Sequence, residues 1–339
     1  MFQIKEVVLE EEKEILTTFL NKYDLDYELD IDYSILVYYQ DDLIATASLA
    51  NNVMKCFLVA RDFIGQNITG IMFSHLVNVL SQKSINHYFV FTTPNNKDVF
   101  KSLNMKVLVT TMNTVLLEGG DSICNVLGNL KKEYNIGDGK KSCVIINANP
   151  MTLGHMFLIE TASKESEELL VFVVSEDLSS FPFTDRFEII KEATSQFDNV
   201  TVLPTLSYLV SKITFPKYFL KEDQLIQDEQ TLVDVMIYKE YYTKIFNIKK
   251  RYLGEEPLSF NTNKYNKVLK DHLNDNLKII KRKKAGSKVI SASLVRKLIK
   301  ANKINKIKKY VPLATYNYLL SDKGQVIIKK IQTSELGRH

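Results

Sequence analysis

The spacing of apolar residues changes along this chain, and each change marks an element. Over residues 10–22, Ile15, Leu16, Phe19 and Leu20 recur at helical spacing. Tyr33 to Tyr39 is β-branched and aromatic, Gln40-Asp41-Asp42 is a turn, and Leu43 to Leu49 returns, which predicts a hairpin. A third strand is expected over Val53 to Ala60. Ile68, Ile71, Met72, Leu76, Val79 and Leu80 then fall on one face of a helix over 67–82. His87 to Thr93 reads as a strand, Asn95 to Leu103 as a short helix, and Lys106 to Leu117 as one long strand. The resulting order is helix, three strands, helix, strand, helix, strand.

The pattern weakens at Gly119-Gly120-Asp121. A helix over Ser122 to Tyr134, with Ile123, Val126, Leu127 and Leu130 in register, leads to the polar stretch Gly137-Asp138-Gly139-Lys140-Lys141. The expected organisation is a first domain over 1–120, a linker over 121–142 and a second domain over 143–330. In the second, strands are expected at Cys143 to Ala148, Leu169 to Ser175, Val200 to Leu203, Arg251 to Gly254 and Leu277 to Ile280. Helices are expected from Met156 to Ala162, Thr184 to Gln196, near 224–246, over 262–275 and from Leu294 to Ala301. Near-continuous apolar strands alternating with helices predict an open parallel sheet with helices on both faces.

Composition narrows the classes. Of 339 residues, 45% are hydrophobic and 25% charged, an ordinary globular profile. A net charge of +4 does not argue for a nucleic-acid partner. The three cysteines, Cys56, Cys124 and Cys143, include no C-x-x-C pair, so no metal centre is expected. The acidic run Glu10-Glu11-Glu12 does not suit a signal peptide, and no apolar stretch is long enough to span a bilayer. A cytoplasmic location without a membrane partner is the expectation.

Candidate chemistry sits at two predicted helix starts. The first is Asn149-Pro150-Met151-Thr152-Leu153-Gly154-His155, between a strand and a helix. Unpaired N–H groups and the positive end of the helix dipole make such a turn an anion site. Gly154 lets backbone or ligand approach closely. Thr152 and His155, three apart, face one group and offer a hydroxyl and an imidazole. The second is Ile290-Ser291-Ala292-Ser293-Leu294-Val295-Arg296, with Ser291 as N-cap and Ser293 and Arg296 facing the same way. Each alone also reads as a plainly capped helix; two in one domain point to a triphosphate.

These two segments, Thr-x-Gly-His and Ile-Ser-x-Ser-x-x-Arg, resemble the signatures of the nucleotidylyltransferase superfamily, whose Rossmann-like sheet is of the HIGH type. Asn147 to His155, Val173 to Asp177 with Asp185-Arg186, Thr214 to Lys221, Gly254 to Pro257, Lys264 to Asn266 and Ile290 to Ser293 are further similar to segments of the citrate lyase ligase family. The predicted order of the first domain resembles the GCN5-related N-acetyltransferase (GNAT) fold, which that family also carries. In that fold an Arg/Gln-x-x-Gly-x-Gly/Ala loop holds the pyrophosphate of acetyl-CoA. Here Gly65 fits, whereas Asn67 replaces the last small residue and Arg61 falls one position early. Gly65 ending a strand and Asn67 capping a helix is the alternative.

The resemblance implies a fold and an activity. The fold is a GNAT-like α+β domain followed by a parallel-sheet nucleotidylyltransferase domain. The activity is an ATP-dependent ligase that joins acetate to the prosthetic-group thiol of the citrate lyase acyl carrier protein through an acetyl-adenylate, releasing AMP and diphosphate. It implies catalytic roles for His155, Thr152 and Arg296. It implies ligand binding by Asn147, Asn149, Pro150, Gly154, Arg186, Ser291, Ser293 and, in the first domain, Gly65. Mg²⁺ would ride on phosphate oxygens and water rather than in a carboxylate cage. A small-molecule adenylyltransferase, of the phosphopantetheine or nicotinamide mononucleotide type, and a non-catalytic sensor of acetyl-CoA and ATP remain the alternatives. Lys281-Arg282-Lys283-Lys284 reads either as a solvated charge run or as a contact for an acidic carrier protein.

Overall fold

The computed structural model describes residues 2–177, 179–209, 219–220, 222–255, 260–281, 284–285 and 288–333. It divides into two units, Met1–Val126 with Ile213–Ile237, and Leu127–Lys212 with Tyr238–His339.

In the first unit the order is β1 (Phe2–Glu6), α1 (Glu10–Asn21), β2 (Tyr33–Tyr39), β3 (Asp42–Ala50), β4 (Val53–Val59), α2 (Ile68–Gln82), β5 (His87–Thr92), α3 (Lys97–Ser102), β6 (Lys106–Thr110) and β7 (Val115–Gly120). The seven strands form one sheet in the order β1-β2-β3-β4-β5-β7-β6. All neighbours are antiparallel except β4 and β5, which pair in parallel only at Val53–Phe89 and Met54–Val90 before separating. The period-2 alternation of β2 sends Ile35 and Val37 against Met72 and Leu76 of α2, while Leu36 joins Leu16 and Leu20 of α1. Both faces are therefore covered. This is an α+β unit, the class expected for the first domain.

Two expectations for this unit need correction. The long strand over Lys106 to Leu117 is two strands, β6 and β7, paired antiparallel around a turn at Thr111–Thr114. No Gly or Pro marks that turn. Instead the Thr111 hydroxyl accepts the Thr114 N–H at 2.9 Å and closes it. Strand β1 was not expected, because only five residues, alternating in exposure, carry it. His75 is half-buried as a structural residue, its Nε2 2.9 Å from the Tyr33 hydroxyl.

The chain continues through α4 (Ile123–Glu133), β8 (Lys141–Ile146), α5 (Leu153–Lys164), β9 (Leu169–Val173), α6 (Phe183–Thr194) and β10 (Val200–Pro204). Helix α7 (Asp223–Ile237) groups with the first unit. Then follow α8 (Thr243–Ile245), β11 (Ile248–Gly254), α9 (Phe260–Leu273), β12 (Leu277–Ile280), β13 (Lys284–Ala285), β14 (Lys288–Val289), α10 (Ala292–Lys300), α11 (Leu313–Leu320) and α12 (Asp322–Thr333). The second unit's main sheet runs β10-β9-β8-β11-β12, every pair parallel. Strand β9 is buried at all five positions, which explains its unbroken apolar run. The chain builds outward from β8 through β9 to β10 and then returns to β11 on the other side. The order therefore reverses at the carboxyl end of β8, the position where open α/β sheets take ligands.

Helices α11 and α12 lie outside the expected elements. They close an apolar cluster with α10 through Val295, Ile299, Leu319, Ile327, Ile328 and Ile331. Several sequence assignments lie outside the described residues: Thr214 to Tyr218, Lys221, Glu256, Pro257, Arg282 and Lys283. Among the described residues no helix is long and apolar enough to cross a membrane.

Candidate functional site

The carboxyl end of β8 opens into the turn 147–152, and the sequence of this turn dictates its course. Ala148 adopts φ +51° and the Asn149–Pro150 peptide is cis. Thr152, extended at φ −126° and only 1% exposed, is the N-cap of α5. Its hydroxyl accepts the His155 N–H at 3.4 Å, while His155 Nδ1 accepts the Thr152 N–H at 3.1 Å. The two residues thus form a reciprocal capping box with an imidazole in the usual place of a glutamate. Because Nδ1 accepts, the hydrogen-bond pattern assigns the proton of the neutral ring to Nε2. The half-buried imidazole is locked as an Nε2–H donor at the start of a helix.

The second helix start lies against the first. Ser291 caps α10, its hydroxyl accepting the Leu294 N–H at 3.2 Å. A Cβ placed on Gly154 would stand 3.2 Å from the Ile290 carbonyl oxygen, so the missing side chain lets the residue before Ser291 reach the first turn of α5. The close approach that glycine allows is therefore made by backbone. From α10, the Arg296 guanidinium donates through Nη1 to the Asn149 carbonyl, and its Nη2 lies 3.5 Å from the Ser293 hydroxyl. Burial draws the Arg296 pKa below its ordinary value. Asn149, Pro150, Thr152, Gly154, His155, Ser291, Ser293 and Arg296 thus come together, as two adjacent helix N-termini that carry hydroxyls, an imidazole N–H and a guanidinium. Such a set suits the oxygens of a polyphosphate. Among the described residues no group of His, Cys, Asp and Glu is placed to hold a metal ion, and magnesium bound through phosphate oxygens requires none.

Arg186 departs from its expected role. It is 1% exposed, and its guanidinium donates to four backbone carbonyls: Phe181 at 2.9 Å, Asn147 at 3.0 Å, Val174 at 2.7 Å and Glu176 at 2.8 Å. Asp177 lies 3.8 Å from it, and burial lowers its pKa. Four of its N–H groups are engaged in this way, so it gathers Val174, Glu176 and Phe181 against Asn147 rather than reaching toward a triphosphate. Asn149 joins the same loop, its side-chain oxygen accepting the Phe181 N–H at 3.2 Å, and the Ser179 hydroxyl donates to Asn147 Oδ1 at 3.2 Å. Gly65, at φ +89° and exposed, belongs to the first unit.

Sequence reasoning missed the groups that fix the turn from the C-terminal helices. The Tyr310 carbonyl accepts the Leu153 N–H at 2.8 Å, and the Thr315 hydroxyl donates to the Met151 carbonyl at 3.1 Å. Nothing local marks either residue, since their partners lie far away in the chain.

A parallel sheet whose order reverses at this turn, with a second capped helix beside it, defines a Rossmann-like α/β domain. Residues 141–319 match the family described as the citrate lyase ligase C-terminal domain. The chain is 30% identical to a citrate (pro-3S)-lyase ligase of Haemophilus influenzae over 94% of this chain and 98% of that one. It is 28% identical to the Escherichia coli K12 protein of the same name, over 90% and 89%. A phosphopantetheine adenylyltransferase of Thermobifida fusca is 41% identical over a shorter stretch, 16% of this chain and 34% of that one. The chain belongs to the citrate lyase ligase family, and it is an enzyme, a ligase.

Proposed function

We propose that the paired helix starts activate acetate with ATP and that the enzyme passes the acetyl group to the thiol of the citrate lyase acyl carrier protein, switching the lyase on. In the first step an acetate oxygen attacks the α-phosphorus of ATP, and diphosphate leaves with its bridging oxygen. In the second the carrier thiolate attacks the acyl carbon of the acetyl-adenylate, and AMP leaves. The His155 Nε2–H and the Thr152 turn face the α-phosphate, where charge shifts in the transition state. Ser291, Ser293 and Arg296 hold the β- and γ-phosphates, and Asn147, Asn149 and Pro150 shape the floor. Mg²⁺ would be carried by the phosphate oxygens of ATP and by water, and would neutralise phosphate charge. Positioning and charge stabilisation do the work, with no covalent enzyme intermediate.

The carrying observation is the close approach at Gly154, which sets a Thr-x-Gly-His turn beside an Ile-Ser-x-Ser-x-x-Arg cap in a citrate lyase ligase. In the same reading, residues 143–330 are the catalytic part, 121–142 the linker, and the first 120 residues, with Gly65, hold the CoA-like arm of the carrier. The test is acetate-dependent exchange of diphosphate into ATP, followed by AMP release and restored lyase activity on addition of the thiol form of citrate lyase. Adenylylation of phosphopantetheine by ATP, with diphosphate released and no dependence on acetate, would instead make the chain a small-molecule adenylyltransferase.

A further inference from the structure

Charge is distributed unevenly along this chain. Residues 276–321 contain no Asp or Glu and thirteen Lys and Arg. Set against a net +4 for the whole chain, that +13 leaves −9 for the remainder. The helical part of the basic segment is α10 and the short 3₁₀ helix Ile304–Lys309 that follows it. Here Lys297, Lys300, Lys303, Lys306 and Lys309 recur at every third residue, with Lys308 added. The apolar residues between them, Val295, Ile299 and Ile307, are fully buried against α12, while Lys297, Lys303, Lys306, Lys308 and Lys309 are exposed. Lys306 and Lys309 lie one turn apart in a 3₁₀ helix, where residues three apart eclipse. Lys308 and Lys309 sit 5.9 Å and 5.1 Å from the ring centroids of Tyr316 and Tyr310.

Like charges at this spacing repel one another, and the sequence places no Asp or Glu between them. A solvated helix face ordinarily mixes its signs. This face also borders the proposed catalytic turn. It begins one residue after Arg296, which bonds Asn149, and ends one residue before Tyr310, which bonds Leu153.

We infer that the lysine face from Lys297 to Lys309 is the docking surface for an acidic protein, namely the carrier that brings its thiol to the catalytic turn; this rests on the proposed function. A compact acidic partner meets the strip alone. The net-negative charge outside residues 276–321 disfavours an extended polyanion such as RNA or an anionic bilayer. Complementary charge at a rim acts mainly on encounter rate and salt dependence.

The experiment uses the full chain and the isolated thiol-form carrier protein of citrate lyase. Wild type is compared with Lys303→Glu/Lys306→Glu/Lys308→Glu/Lys309→Glu and with the corresponding four-glutamine variant. The glutamate variant is expected to raise KM for the carrier about 10–10²-fold, the scale of lost electrostatic steering, with the glutamine variant between. Acetate-dependent diphosphate exchange and KM for ATP stay within about twofold, because none of those four lysines belongs to the two helix starts that meet at the turn. Raising salt from about 50 to 300 mM weakens carrier use by the wild type more than by the variants. An unchanged carrier KM with normal exchange overturns the docking surface. So does a rise in KM for ATP alone, or variant-sensitive binding only to RNA or anionic vesicles. Absence of exchange in the wild type would remove the proposed function, and direct titration of the carrier onto wild type and variants would still decide the surface.

Discussion

His155 shows how one side chain serves structure and chemistry together. Its Nδ1 accepts the Thr152 N–H and so satisfies a helix-terminal donor, which assigns the proton of the neutral ring to Nε2. Replacing His155 with Ala is expected to lower acetate-dependent diphosphate exchange by about 10²–10³-fold, as loss of an oxyanion-type donor does. Near-normal exchange would remove its catalytic role. Arg186 is the contrary case. A lysine in its place keeps the charge but cannot reach four carbonyls set around a planar fork. Two or more buried carbonyls then lose their donor, and Arg186→Lys should cost on the order of 3 kcal/mol in chemical denaturation of the second unit. A loss below about 0.5 kcal/mol, the range of ordinary surface changes, would show that the loop does not depend on the fork. The sequence marks both residues as chemical. Only the distances separate them, because an arginine at a helix start suits carbonyls as well as phosphates.

At the scale of elements, the two capped helices were legible because each carries its own signal. Ser291 caps as expected, Thr152 caps the other start, and the alternation of strands and helices in the second unit follows the predicted order. The β6–β7 hairpin was not legible, since a threonine hydroxyl does there what Gly or Pro usually does. Helices α11 and α12 were not read from the sequence, although their apolar residues close one cluster with α10. What joins the legible elements is the approach of Ile290 to Gly154. Gly154→Ala would set a Cβ at 3.2 Å from a carbonyl oxygen that belongs to backbone. The expected result is separation of the two helix starts by a few tenths of an ångström. Diphosphate exchange should fall about 10-fold or more, since small misplacements of reacting groups cost rate steeply. The melting temperature should move little. Unchanged exchange would mean that the two starts act separately.

For the whole molecule, its three thiols report on its two units. Cys56 and Cys143 are fully buried, whereas Cys124 is exposed. Burial pushes the Cys56 thiol up to about 12 and the Cys143 thiol up to about 11. Iodoacetamide at pH 8 should therefore label Cys124 alone in the folded protein, and all three on unfolding. Labelling of Cys56 and Cys143 at different denaturant concentrations would show the first and second units opening separately. Because folding favours both protonated thiols, their contribution to stability is present below pH about 9 and declines as pH rises toward 11 and 12.

The parts of the catalytic turn come from distant stretches of chain. Arg296 and Asn149 are 147 positions apart, and Thr315 and Met151 are 164 apart. Closing such loops is entropically costly and slow to be rewarded. A nascent chain with β8 to β12 already made has a sheet but no site. The site is therefore assembled after the sheet, and ligase activity during synthesis would report arrival of the residues around Tyr310 and Thr315 rather than folding of the sheet.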